Sequence, residues 1–270
     1  MTSSGAQLKI LVCVKQVIDP ETPLSAFKID PGTKRVAPAA GVPPVVNGFD
    51  ENAVEAALRL KDSVGAEVTV LSMSDSFAMD VMKKPLSMGA DALVLAQDSQ
   101  FRDLDPFASA YVLAAAIRKL DGFDLILCGR QASDWDNAQV PTGIAEMLGL
   151  PLVTVAQKLD LASGGIVVER ALPDGYEVVE APLPALVTVS NELGEPRYPT
   201  LRGIMAAGKK TPTTFSASDL EVDPARLAPR MHLLDLAVPP RDSKCEFISG
   251  ENEADTGRQL ALRLREAKLI

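Results

Sequence analysis

The sequence predicts an α/β fold: a doubly wound, mostly parallel sheet of Rossmann-like or flavodoxin-like type, with a small hairpin region and an extended C-terminal arm. Three observations predict it. Short apolar runs alternate with amphipathic helical stretches from Leu8 to Val155, the pattern of a parallel sheet covered on both faces. A polar loop from Cys128 to Gly143 joins an apolar strand to a helix, the junction at which open α/β sheets hold nucleotides. After Val155 the alternation gives way to hairpin signals, and then to a stretch with few periodic apolar positions.

In chain order, Leu8 to Val14 reads as the first strand. Phe27 to Asp30 and Lys34 to Val36 flank Pro31-Gly32-Thr33, a turn signature that predicts a small inserted hairpin. Phe49, Ala53, Ala56, Leu60 and Val64 share one helical face, and Gly65 closes that helix. Glu67 to Leu71 is a strand, Phe77, Val81 and Leu86 predict a helix ending near Gly89, and Ala92 to Ala96 is the next strand. Pro106 to Leu120 is a helix rich in Ala and Leu, followed by a strand from Phe123 to Cys128. Ile144, Met147 and Leu148 mark a helix after the polar loop, and Leu152 to Val155 is a strand. Gly165 to Arg170 and Tyr176 to Glu180 around Pro173-Asp174-Gly175 predict a hairpin, and Ala185 to Val189 adds a further strand. Gln259 to Leu264 reads as a short terminal helix. These readings place an α/β domain over 1–205 and an arm over 206–270.

A chain of 270 residues with 47% hydrophobic content fills a substantial core. Its net charge is −9 and its basic residues are scattered, apart from a loose group at Arg197, Arg202, Lys209 and Lys210, so nucleic acid is not an expected partner. Cys13, Cys128 and Cys245 are odd in number and lack Cys-x-x-Cys spacing, which argues against a disulfide framework and a zinc site and fits a reducing cytoplasm. The start, Met1 to Gln7, has no signal-peptide core, and no apolar run is long enough for direct membrane insertion. His232 is the only histidine, which removes His-based triads and paired-His metal sites. No catalytic residue and no metal site is assigned, and electron or group chemistry falls to a bound cofactor.

Within the loop, the backbone N–H groups from Asn137 to Val140 suit phosphate, and Arg130 offsets its charge. Asp134 or Asp136 is then expected to bond ribose hydroxyls or to cap the following helix. Pro141 fits the first helical turn, where its missing N–H costs nothing. A stand-alone adenine-nucleotide sensor or an ATP-using transferase of similar fold is the alternative, but neither Gly-x-Gly-x-x-Gly nor Gly-x-x-x-x-Gly-Lys-Ser/Thr is present.

Five pieces, in order, resemble the β subunit of electron-transfer flavoproteins. They are Val12-Cys13-Val14-Lys15-Gln16-Val17, Asn47 to Lys61, Met88-Gly89-Ala90-Asp91, Gly129-Arg130-Gln131-Ala132 and Glu195 to Arg202. The resemblance covers about residues 8 to 210. It implies a heterodimer with a larger α subunit that holds most of the FAD site. Such a complex carries electrons between flavin dehydrogenases, such as acyl-CoA dehydrogenases, and an acceptor; the β subunit is not a self-sufficient enzyme. It also implies a nucleotide of the β subunit's own, either structural AMP or a second FAD used in electron bifurcation.

The family's nucleotide contacts fall on Cys13, Asn47, Gly48, Phe49, Asp50, Met73, Gly129, Arg130, Gln131, Asp134, Asp136, Asn137, Ala138, Gln139, Val140, Pro141 and Thr142. Tyr198, Leu201, Ile204 and Met205 correspond to the segment that docks a partner dehydrogenase, with Leu201 as an apolar plug, and the arm from 206 would pack on the α subunit. Asn47-Gly48 stands where the family has Asn-Pro, and Ser74-Asp75 where it has Gly-Pro. The family's basic run is thinned to Lys209-Lys210. Asp136-Asn137-Ala138-Gln139-Val140-Pro141 resembles the bifurcating loop Asp-Thr-Ala-Gln-Val-Gly-Pro more than the Asn-x-Thr-Gly-Gln of AMP-binding members, which favours FAD; Pro141-Thr142 in place of Gly-Pro keeps AMP open.

Overall fold

The computed structural model describes residues 7–37, 41–240 and 245–270; the polar start before Gln7 lies outside them. A nine-stranded sheet is built from β1 (Lys9–Cys13), β2 (Glu67–Ser74), β3 (Ala92–Gln97), β4 (Leu125–Gly129), β5 (Leu152–Ala162), β6 (Gly165–Leu172), β7 (Gly175–Pro182), β8 (Ala185–Val189) and β9 (Thr213–Phe215). Their spatial order is β7-β6-β5-β8-β4-β1-β2-β3-β9. Strands from β5 across to β9 run parallel, and β6 and β7 add an antiparallel edge. The chain leaves β1 towards β2 and β3, then returns to the other side of β1 with β4 and β8, so the strand order reverses between β1 and β4. In doubly wound sheets the crevice at such a reversal is the ligand site.

Alternation along the strands divides the core. In β1, Ile10 and Val12 point to one face with α1 (Gly48–Val64), α3 (Lys84–Met88) and Ala207 of α6 (Leu201–Lys209). Leu11 and Cys13 point to the other, with α4 (Pro106–Leu120) and α5 (Val140–Leu148). Both faces are covered, so the central strands are apolar throughout: every residue of β4 and of β8 is buried.

Most sequence expectations hold closely. The inserted hairpin pairs Lys28–Asp30 with Arg35–Ala37, α1 ends at Gly65 with φ 77°, and α4 starts where Asp105 accepts from the Ala108 amide at 2.8 Å. Three differ for identifiable reasons. The helix expected from Phe77 to Gly89 is two short ones, α2 (Met79–Met82) and α3, separated at Lys83 just before Pro85, whose ring removes an amide donor. Strand β9 is only three residues long, too short for a period, yet it pairs in parallel with β3. The terminal helix spans Glu253–Glu266, longer than its apolar residues indicate, because Asn252 caps it by accepting from the Asp255 amide.

The chain forms two compact units, Met1–Leu236 and Ala237–Ile270. The first therefore runs beyond residue 205, taking in α6, β9 and the short helix Pro224–Leu227 with its buried Leu227. Among the described residues, no helix is long and apolar enough to cross a membrane.

Candidate functional site

The ends of β1 and β4 are joined by the first turn of α1. Asp50, only 6% exposed, accepts from the Lys15 amide at 2.7 Å with one carboxylate oxygen and from the Gly129 amide at 3.0 Å with the other. Burial pushes its carboxyl up to about 7, against the pull of these two amides and of Asn47. Asn47, fully buried, donates to the Gln131 carbonyl at 2.8 Å and accepts from the Ser133 amide at 3.1 Å. A side chain at the start of α1 thus shapes the loop that follows β4, and it does so instead of capping its own helix.

Gly129 is required here. A Cβ at this position would overlap Asp50 Oδ1 and stand 2.7 Å from the Phe49 carbonyl carbon. Gly48 is different, since open space surrounds it and it is the first residue of α1.

The loop after β4 carries its own charge balance. Asp134 is held by Lys15, whose ammonium reaches both carboxylate oxygens at 2.7 and 2.8 Å. Asp136 accepts from Gln131 at 2.8 Å. Neither caps α5: Gln139 occupies the N-cap position and makes no side-chain cap bond, so the capping role expected for one of these aspartates is corrected. The reason is reach, because each carboxylate is already engaged on the near side of the loop. Asp136 and Ala138 adopt φ of 50° and 53°, left-handed values that fold the loop back before α5. Among the described residues, the amides of Asn137, Ala138, Gln139 and Val140 have no partner. Pro141 is buried in the first turn of α5, while Asn137, Ala138, Gln139 and Thr142 are exposed.

Arg130 lies over the Phe49 ring at 4.6 Å and donates to Ser190 Oγ at 3.3 Å, and its buried Nε has no partner among the described residues. Cys13 and Cys128, distant in sequence, are register partners on β1 and β4. The Cys13 thiol beside it, together with burial, pushes the Cys128 thiol well above its ordinary value, which makes it an inert packing group. Met73 sits half-buried near the end of β2, on the far side of β1 from the loop. Asp75 forms an ion pair with Arg102.

The residues expected to meet a partner form a separate patch. Tyr198, Leu201, Ile204 and Met205 are 92%, 76%, 52% and 63% exposed on α6 and the segment before it. Lys15 and Ser190 were not singled out by sequence reasoning. Lys15 is the first charge after β1, a position at the sheet's carboxyl edge that could have identified it.

An adenine nucleotide fits this arrangement: unpartnered amides at a helix start, an unspent guanidinium N–H, two cations and a close-packed glycine at the reversal of strand order. The electron transfer flavoprotein domain family matches residues 38–220. A β subunit of electron transfer flavoprotein from Thermoanaerobacterium thermosaccharolyticum is 44% identical over 80% of this chain and 81% of its own length. The caffeyl-CoA reductase-Etf complex subunit CarD of Acetobacterium woodii is 38% identical over 97% of this chain and 100% of its own. The acryloyl-CoA reductase electron transfer subunit gamma of Anaerotignum propionicum is 38% identical over 80% of each. With a family match across most of the chain and likeness to a β subunit over four-fifths of it, the chain belongs to the electron transfer flavoprotein family, as a protein of its β-subunit kind.

Proposed function

We propose that this β subunit binds an adenine nucleotide, FAD in preference to AMP, at the crevice formed by the ends of β1 and β4, the first turn of α1 and the loop from Gly129 to Thr142. The observation that carries this is the run of unpartnered amides from Asn137 to Val140, beside Arg130 and Lys15, at the point where the strand order reverses. Those amides and the start of α5 receive phosphate, while Lys15 keeps Asp134 from repelling it. Arg130 adds a positive charge at the start of the same loop, its guanidinium over the Phe49 ring and one buried N–H without a partner among the described residues. A flavin held there supplies the redox chemistry, and the chain's own residues bind and orient it. Ala138-Gln139-Val140 supports FAD; Pro141-Thr142 is the feature that supports AMP.

The same reading assigns a larger α subunit as partner, with the unit from Ala237 packing on it, and an acyl-CoA dehydrogenase or reductase as the redox partner docked by Tyr198, Leu201, Ile204 and Met205. The names of the caffeyl-CoA and acryloyl-CoA reductase relatives support that class of partner. The test is to denature the purified heterodimer and quantify the released nucleotides. Two FAD per heterodimer is the expected result; one FAD with one AMP would replace FAD by AMP at this site, and one FAD alone would remove the site.

A further inference from the structure

One stripe of α1, beginning two residues after Asp50, grips the segment that leads into the exposed docking patch. Asn52, Glu55, Arg59 and Asp62 follow each other at helical spacing. Asn52 donates to the Gly194 carbonyl at 2.8 Å, and Arg59 to the Leu193 carbonyl at 3.0 Å. Glu55, 5% exposed, accepts from the Arg197 amide at 3.1 Å, from its Nε at 2.8 Å and from its Nη2 at 3.2 Å, and from Arg59 Nε at 3.0 Å. Arg197 also reaches Asp62 at 2.8 Å. Burial works against ionisation of Glu55, but the bonds from Arg197 and Arg59 outweigh it and hold its carboxyl below the usual range.

The residue after Arg197 is Tyr198, 92% exposed, and Leu201 opens α6 three positions further on. The forked Glu55–Arg197 pair is therefore the last anchor on α1 before the chain leaves for solvent. The far end of α6 is fastened independently, where Lys83 donates to the Gly208 carbonyl and Lys210 to the Ala90 and Asp91 carbonyls. Between these fixed ends the apolar side chains are presented outward on a segment with little freedom of its own. A forked guanidinium–carboxylate pair sets direction as well as distance, which a lysine at the same place would not do.

We propose that Glu55 is a positioning residue for docking: its forked pairing with Arg197 fixes the direction in which Tyr198 and Leu201 leave the surface, so the redox partner meets a preorganised apolar anchor. The inference rests on the reading of Tyr198 to Met205 as the docking segment. Loss of the pair would leave the anchor present but free to wander, and its ordering would then be charged to each encounter.

The experiment uses the assembled two-subunit complex and a short-chain acyl-CoA dehydrogenase from the same source, reduced with butyryl-CoA. Glu55→Gln is expected to raise KM for the reduced dehydrogenase roughly threefold to tenfold, the scale of re-freezing one or two side chains. The kcat and the nucleotide content stay at wild-type values. Arg197→Lys, which keeps the charge and loses the fork, gives an intermediate rise and serves alone if Glu55→Gln does not fold. Leu201→Ala raises KM by itself, and the double variant Glu55→Gln/Leu201→Ala raises it no further than Leu201→Ala. If Leu201→Ala raises KM while Glu55→Gln and Arg197→Lys leave it unchanged, the positioning role is overturned and the docking reading stands. An unchanged KM for Leu201→Ala overturns the docking reading, and this inference with it.

Discussion

Asp50 joins three chain segments that are remote in sequence, and its two oxygens are both spent on backbone amides. It thus shapes the crevice from within, without reaching towards a ligand. Its folded carboxyl sits at about 7 against an ordinary 3.8, so the folded chain holds this proton more tightly than the unfolded one. The resulting contribution to stability is fully present below about 3.8 and is lost as pH rises through about 7. Asp50→Asn removes that titration. The melting temperature of the wild type is therefore expected to fall relative to the variant between pH 4.5 and 7.5, by about 2–4 °C for each kcal/mol involved. Parallel curves across that range would show that Asp50 does not titrate with folding. Nothing about Asp50 in sequence, beyond its place in a helix's first turn, announces this burial.

At the scale of elements, α1 joins the two proposed functional regions: its first turn holds the loop after β4 through Asn47 and Asp50, and its middle holds the segment before α6 through Asn52, Glu55 and Arg59. Its start and end were readable from the apolar stripe that begins at Phe49 and from Gly65. The polar stripe was not, because Asn52, Glu55 and Arg59 look like a solvated helix face until the segment from Leu193 to Arg197 is laid against them. Helix α6 depends on close contact with α3. A Cβ at Gly203 would overlap the Ser87 carbonyl oxygen and lie 3.2 Å from Thr200 Oγ1, the group that caps α6. Gly203→Ala is expected to lift α6 off α3 and cost about 1–3 kcal/mol, read as a drop in melting temperature. A variant as stable as wild type would show that α6 is not seated by this contact.

Over the whole molecule, the first unit carries both the crevice and the exposed patch of Tyr198, Leu201, Ile204 and Met205, while the second, Ala237–Ile270, exposes Val238, Phe247, Leu260, Leu262, Leu269 and Ile270. So much apolar surface on 34 residues, the count from 237 to 270, suits a segment covered by another subunit. A chain ending at Leu236 is expected to keep the melting transition of the first unit and to lose most of its yield as a complex with co-expressed α subunit. Full recovery of the heterodimer would remove the second unit from that interface.

The sequence by itself determined the alternating strands and helices, both hairpins, and the polar loop after β4, because each rests on local periodicity, turn residues or caps that act within a few positions. The loop's candidacy for the proposed nucleotide site was legible for the same reason: a strand end, a helix start and a proline in the first turn are neighbours in the chain. The tertiary structure alone decided what completes that site. The register of β1 against β4 sets Cys13 beside Cys128, the crossing of α1 over β4 delivers Asp50 to Gly129, and the return of the chain after β8 brings Arg197 to Glu55. These pairings join residues far apart in sequence, and their partners are fixed by the order of strands in the sheet, which no local pattern encodes.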